Sequence, residues 1–235
     1  MILGMEISPD QRIFWEWGFF KLNATILYTW IVMAVMVIFS WLVTRRLVTT
    51  GVPSRKQSFL EVIVTGIRNQ IREISGHDPD PYVPFIGTLF LFIALSNVLS
   101  VVPVFKAPTG SLSTTAALAV CVFLAVPIFG IWKRGAKAYF MNYIKPSPFM
   151  LPFNIMGEFS RTLALAVRLF GNVMSGGMIA GILISITPFI FPTIMDALGL
   201  LTGLIQAYIF AVLAMVYIAS ATRVQEDTAK KKEAK

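Results

Sequence analysis

Five apolar stretches, each close to the length of a bilayer-crossing helix, restrict this chain's fold more than any other feature. They run approximately over residues 25–43, 83–104, 112–132, 159–186 and 197–220. Crossing the hydrocarbon core takes ~20 apolar residues as helix, and in lipid a helix satisfies its own backbone polar groups. Hydrophobic residues are 56% of the chain and charged residues 14%, with a mean hydropathy of +0.74. That balance belongs to an integral membrane protein. The expected fold is all-α, with five transmembrane helices. The fourth stretch is longer than a crossing needs, which predicts a long, tilted C-terminal helix hairpin.

The cations are unevenly shared between the connecting segments. Residues 45–82 carry six Lys or Arg, 133–148 carry four, and the tail after 220 carries five. The opposite side holds only Arg12, Lys21 and Lys106. By the positive-inside rule the N-terminus lies outside and the C-terminus in the cytoplasm, of a bacterial inner membrane by expectation. An odd number of spans gives the same answer. The net charge of +8 is accounted for by this orientation, and nucleic acid is not an expected partner. Cys121, the single cysteine, excludes an intramolecular disulfide. Glu6, Asp10, Arg12 and Glu16 interrupt the first twenty residues, so no cleavable signal is expected.

Between the first two spans, Leu60, Ile63, Val64, Ile67, Ile71 and Ile74 recur at helical spacing, with Arg68, Asn69, Arg72 and Glu73 on other faces. This pattern predicts an amphipathic helix over about 54–75 at the cytoplasmic interface, ended by Gly76 and the turn residues 77–81. His77 is expected as a loop residue, since a lone histidine makes no metal site. Trp15, Trp17, Phe19 and Phe20 predict an interfacial aromatic anchor in an outer segment, 1–24. A single membrane domain then covers 25–222, its functional hairpin about 157–222, followed by a basic cytoplasmic tail, 223–235. No internal repeat stands out, against an inverted-repeat transporter.

The fourth span carries two arginines, Arg161 and Arg168, after which no charge appears until Asp196. Arginine does not release its proton in proteins, and holding it at bilayer depth costs ~2.5–3.5 kcal/mol on insertion scales. Such a charge needs an anion as partner, in this chain or another. Seven residues, close to two turns, separate the pair, so both project from similar faces. Asn172 and Ser175 follow Arg168 at one-turn intervals, among Gly171, Gly176, Gly177 and Gly181. Small residues on a membrane helix can mean close packing of another helix. They can equally make a smooth surface past which another charged element slides. In the fifth span, Gln206 comes within two turns of the height of Arg168 if the hairpin turns at 188–192.

The run SRTLALAVRLFGN, the following hairpin with LIQAYIFAVLAMVYI, and VPFIGTLFLFIALSNVLSVVPVFKAPTGSLSTT resemble subunit a of F-type ATP synthases, over nearly the whole chain. The resemblance implies an ion-translocating stator subunit of the membrane sector. Arg168 matches the family's stator arginine, which faces the carboxylates of a ring of c subunits. Asn172 and Gln206 match positions that accompany it, and Ser175 joins them as a candidate for ion translocation. Further implied partners are b-type peripheral stalk subunits, the rest of the complex and membrane lipids. Ions, protons or sodium, would load and unload ring carboxylates through two offset half-channels. The chain itself is expected to be non-catalytic, with no cofactor and no metal, because it lacks a Gly-rich phosphate loop.

Where the sequence departs from the family is equally informative. Many members carry a His/carboxylate pair on the two hairpin helices, and here Gly177 and Gly199 occupy those positions. Thr162 replaces a common proline, and residues 110–115 lack the usual acidic and Asn groups. The proton relay is thinner, so water fills the space or the path carries a hydrated cation. Glu158, three residues before Arg161, predicts an i,i+3 ion pair; lining of the inner half-channel is the alternative. Asp196 is expected as a helix N-terminal residue favoured by the dipole, or as the stand-in for the absent outer carboxylate. Asn97 and Ser100 either bridge helices or line the outer half-channel. The competing class is a stand-alone secondary transporter or channel using Arg168 as an anion site.

Overall fold

A computed structural model describes residues 13–17, 20–45, 55–76, 78–102, 105–136, 139, 141, 149, 151–186 and 190–223. The expectations for residues 1–12, for Phe19 and His77 and for the tail beyond 223 lie outside these residues. In place of an aromatic anchor alone, the N-terminal segment forms a two-stranded antiparallel ribbon, β1 (Ile13–Trp17) and β2 (Phe20–Asn23). Trp17 stands opposite Phe20 and Glu16 opposite Lys21. Aromatic residues suit a pleated pair as well as they suit a headgroup layer.

Six helices follow among the described residues. α1 (Ala24–Thr44) lies at the edge, with Trp30, Val37, Ile38 and Trp41 exposed and Val32 fully buried. α2 (Arg55–Ser75) is the amphipathic helix; Ile67, Ile71 and Ile74 pack on the core while Val62 stays exposed. It ends at Gly76, whose φ of 70° is the left-handed stop that glycine adopts without strain. Arg68 forms an ion pair with Asp80, tying α2 to the turn before α3.

α3 (Val83–Leu99) stops five residues short of the expected 104. Past it the backbone tightens into three-residue turns, Val101 to Val98 and Val102 to Leu99, because Pro103 disfavours helix in the residue before it. A 3₁₀ turn at Pro108–Gly110 leads into α4 (Leu112–Arg134). α5 (Leu151–Ile186, 36 residues) and α6 (Ile190–Arg223, 34 residues) both start earlier than the hydropathy pattern places them. Pro152 and Pro192 each fall in a first turn, where proline's missing N–H has no intrahelical acceptor to lose.

α6 is the centre of the bundle, packed against α2, α3, α4 and α5. Its inward stripe reads Gly203, Gln206, Ala207, Phe210, Ala211, Ala214, Met215, Ile218 and Ala219, all buried. Pairs of neighbours recurring every three to four residues make one helical face, and the alanines let neighbouring backbones approach closely. Ile93, Val122, Leu165 and Leu169 close the core from α3, α4 and α5. Among the described residues four helices are long and apolar enough to cross a membrane, over Ala24–Leu42, Leu112–Lys133, Leu151–Leu183 and Thr193–Thr222; the apolar helix Val83–Leu99 is shorter.

Candidate functional site

A side-chain hydrogen bond crosses between α5 and α6 near the middle of the hairpin. Asn172 Nδ2 donates to the carbonyl of Thr202 at 3.3 Å. Four residues further along each antiparallel helix, Arg168 and Gln206 stand at the same height. The offset of nearly two turns expected from the proline positions is absent, because α6 begins at Ile190. The two side chains nonetheless face different ways. Arg168 is exposed, and among the described residues no carboxylate pairs with it. Gln206 is 6% exposed, and its Nε2 has no acceptor. No hydrogen bond joins them.

Arg168 belongs to an exposed stripe of α5 comprising Arg161, Ala164, Arg168, Gly171, Ser175 and Met178. The 3–4 spacing makes a single face, and its central residues are small. A Cβ placed at Gly171, Gly176 or Gly177 would meet nothing within 4 Å. Close packing by another helix of this chain therefore does not explain these glycines. Ser175 turns its hydroxyl back to the Asn172 carbonyl at 3.2 Å and is not among the residues that line the turn-side cavity.

Two cavity regions flank this level. The turn-side cavity, of about 250 Å³, is lined by Asn97, Ser100, Lys106, Asn172, Asp196 and Thr202 together with Gly177 and Gly199. Those two glycines have open space where a side chain would begin. Asn97 lines this cavity and donates Nδ2 to the Gly203 carbonyl at 3.0 Å. Asp196 is not a helix N-terminal residue: α6 has no acidic residue in its first turn. The six residues that precede Asp196 in α6 place it on the cavity wall instead.

The second region lies at the open end of the hairpin. A cavity of about 300 Å³ is lined by Tyr139, Asn154, Glu158, Arg161 and Ser220, and a crevice of about 20 Å³ adds Thr162 and Tyr217. The Arg161 guanidinium lies over the Tyr217 ring, 5.7 Å from its centroid. No Arg161–Glu158 ion pair is formed among the described residues; the ring face draws the cation across to α6. Thr162 donates to the Glu158 carbonyl at 2.9 Å, an ordinary helix back-bond.

Between the two regions the facing sides of the hairpin carry buried apolar residues. On α5 the lining stops at Thr162 from one end and at Asn172 from the other. Ten residues of helix separate them, ~15 Å at 1.5 Å per residue. Leu165, Ala166 and Leu169 fill that interval with Ala207, Phe210, Ala211 and Ala214, all buried. Arg168 sits on the outside of this apolar plug. The arrangement thus offers two polar cavities that share no lining residue and, among the described residues, a cation without a carboxylate partner at the level between them. Lys106, Thr202 and Gly203 on the turn side, and Asn154, Tyr217 and Ser220 at the open end, were not singled out by their sequence context. Only the placement of Gly203 one turn beyond Gly199 carries a readable trace of the close approach there.

A family model described as "ATP synthase A chain" matches residues 26–219. ATP synthase subunit a 2 of Acaryochloris marina is 63% identical over 222 residues, covering 94% of this chain and 95% of that protein. ATP synthase subunit a of Albidiferax ferrireducens is 60% identical over 219 residues, covering 93% and 95%. ATP synthase subunit a 1 of Chlorobaculum parvum is 58% identical over 222 residues, covering 94% and 98%.

Proposed function

This chain belongs to the ATP synthase subunit a family, and we propose that its hairpin forms two offset half-channels, with Arg168 as the stator charge between them. It is the non-catalytic, membrane-embedded subunit a of an F-type ATP synthase. In our reading five helices span the bilayer, α3 included, because seventeen apolar residues reach the lower end of the spanning range. α2 rests at the cytoplasmic interface, the N-terminus lies outside, and the cation-rich connections lie inside. The turn-side cavity is then the outer half-channel and the open-end cavity the inner one.

The observation that carries this reading is the exposed, unpaired Arg168 beside a plug that keeps the two cavities apart. Its anion comes from another polypeptide: a carboxylate on a ring of c subunits that passes along the smooth stripe of α5. An ion reaching the ring from the outer cavity neutralises the carboxylate for travel through lipid. After nearly a full turn it leaves by the inner cavity, where Arg168 favours the deprotonated carboxylate and blocks direct return. Each unit charge crossing ~100 mV releases ~2.3 kcal/mol. The peripheral stalk holds this subunit still against the ring.

Ion-driven ATP synthesis in inverted vesicles tests the assignment. Arg168→Ala is expected to assemble with the ring and to reduce coupled synthesis to background. Normal synthesis by that variant would remove the stator role from Arg168. A stand-alone transporter would instead move its substrate in vesicles that hold this chain without a ring.

A further inference from the structure

The turn-side cavity ends at an unusual contact. Asn97 of α3 is 4% exposed, and its Nδ2 donates to the Gly203 carbonyl of α6 at 3.0 Å. A Cβ at position 203 would lie 2.7 Å from Asn97 Cγ and 3.0 Å from its Cβ. The asparagine side chain occupies the space a side chain of residue 203 would need. Beside it, Asn172 of α5 holds the neighbouring carbonyl, that of Thr202. Two adjacent carbonyls of one helix are thus capped by amides from two other helices, each using the lone pair left over from the helix ladder. Directly beyond this layer come Ile93, Ser96, Ala207 and Phe210, none of them exposed at all.

We propose that Asn97, seated on Gly203, is the floor of the outer half-channel: a positioning residue that sets how deep water descends, one turn short of the Arg168–Gln206 level. This rests on the half-channel reading above. A polar cavity with several hydrogen-bonding partners retains water, and an apolar one can stay dry. The amide layer marks the boundary between the two. With the floor closed, an ion in the vestibule has only the lateral route to the ring, whereas an opened floor admits water to the plug.

A cysteine reporter in the assembled complex tests this, in a Cys121→Ser background so that no other thiol of this chain responds. Ala207→Cys places the reporter one turn beneath Gly203, and Gly177→Cys and Gly199→Cys report on the vestibule itself. A membrane-impermeant methanethiosulfonate reagent is supplied from the outer face. The 177 and 199 thiols are expected to react and the 207 thiol to stay protected. Adding Asn97→Ala, or Gly203→Ala to displace Asn97, is expected to raise the 207 rate at least tenfold from the outer face, with no rise from the inner face. Should either variant fail to assemble with the ring, Asn97→Ser, a donor of shorter reach, is read in the same assay. A 207 thiol that reacts in the parent, or stays protected in assembled variants, overturns the proposal and leaves Asn97 a strut between helices. Silence at 177 and 199 overturns the vestibule reading itself, and the floor with it.

Discussion

The two cavities of the hairpin differ in kind. The turn-side cavity is walled by amides, hydroxyls and glycines, with Lys106 and Asp196 among its lining. The open-end cavity, of about 300 Å³, carries one charge of each sign as well, with Glu158 and Arg161 on one helix and Tyr217 and Ser220 on the other. The first has empty space where two side chains could be, at Gly177 and Gly199. The second has its cation held over an aromatic ring. The difference teaches that the turn side leaves space where side chains could stand, whereas the open end spends its cation on a neighbouring ring.

The strongest way to erase the contrast is to remove the barrier's charge. Arg168→Lys should leave coupled synthesis below roughly a tenth of the parent, since an ammonium lacks the planar fork of guanidinium and sheds its proton more readily when desolvated; vesicle ATP synthesis reads it. Next comes the barrier itself. Phe210→Ala takes a fully buried ring out of the plug and should cost about 3–5 kcal/mol. A fall in thermal stability and a rise in passive ion leak would both be seen, and an unchanged leak would mean that the plug collapses around the void.

A smaller effect belongs to the turn side. Gly177→Leu meets no steric obstacle at its Cβ, so assembly should persist while lost water volume slows turnover roughly 3- to 10-fold. Normal turnover would show that ions do not pass this wall. At the open end, Arg161→Gln removes a cation–π contact worth about 0.5–1 kcal/mol at an exposed site. It should alter the salt dependence of turnover more than its maximum. Least of all, Arg68→Ala breaks an ion pair whose two side chains are about half exposed; stability should change by at most ~1 kcal/mol.

Much of this was legible in the residues. Apolar length located α1, α3, α4, α5 and α6, amphipathic spacing located α2, and the seven-residue step from Arg161 to Arg168 put both arginines on one face. What the sequence could not show were the ends and the contacts between helices. Hydropathy undercounts helix at polar or proline-bearing termini, so α5 and α6 begin earlier than their apolar cores, and Asp196 moved from a helix start to a cavity wall. The Glu158–Arg161 pair looked sound from spacing alone, because spacing is blind to Tyr217 on the neighbouring helix. Gly203 and Asn97 are 106 positions apart, and nothing local to either announces the other. The ribbon at residues 13–23 was hidden because aromatic residues serve strands and interfaces alike.

One consequence of the helix at the centre of the bundle concerns mechanics. Asp196 and Gly199 on one wall and Tyr217 and Ser220 on the other belong to the same uninterrupted α6. The gap between the two openings is therefore metered by a single rod, ~36 Å from 196 to 220 at 1.5 Å per residue. Neither mouth can be re-aimed alone. One residue inserted between Ala207 and Ala214 would swing one mouth about 100° around the axis relative to the other. The phase of the machine is written as a residue count.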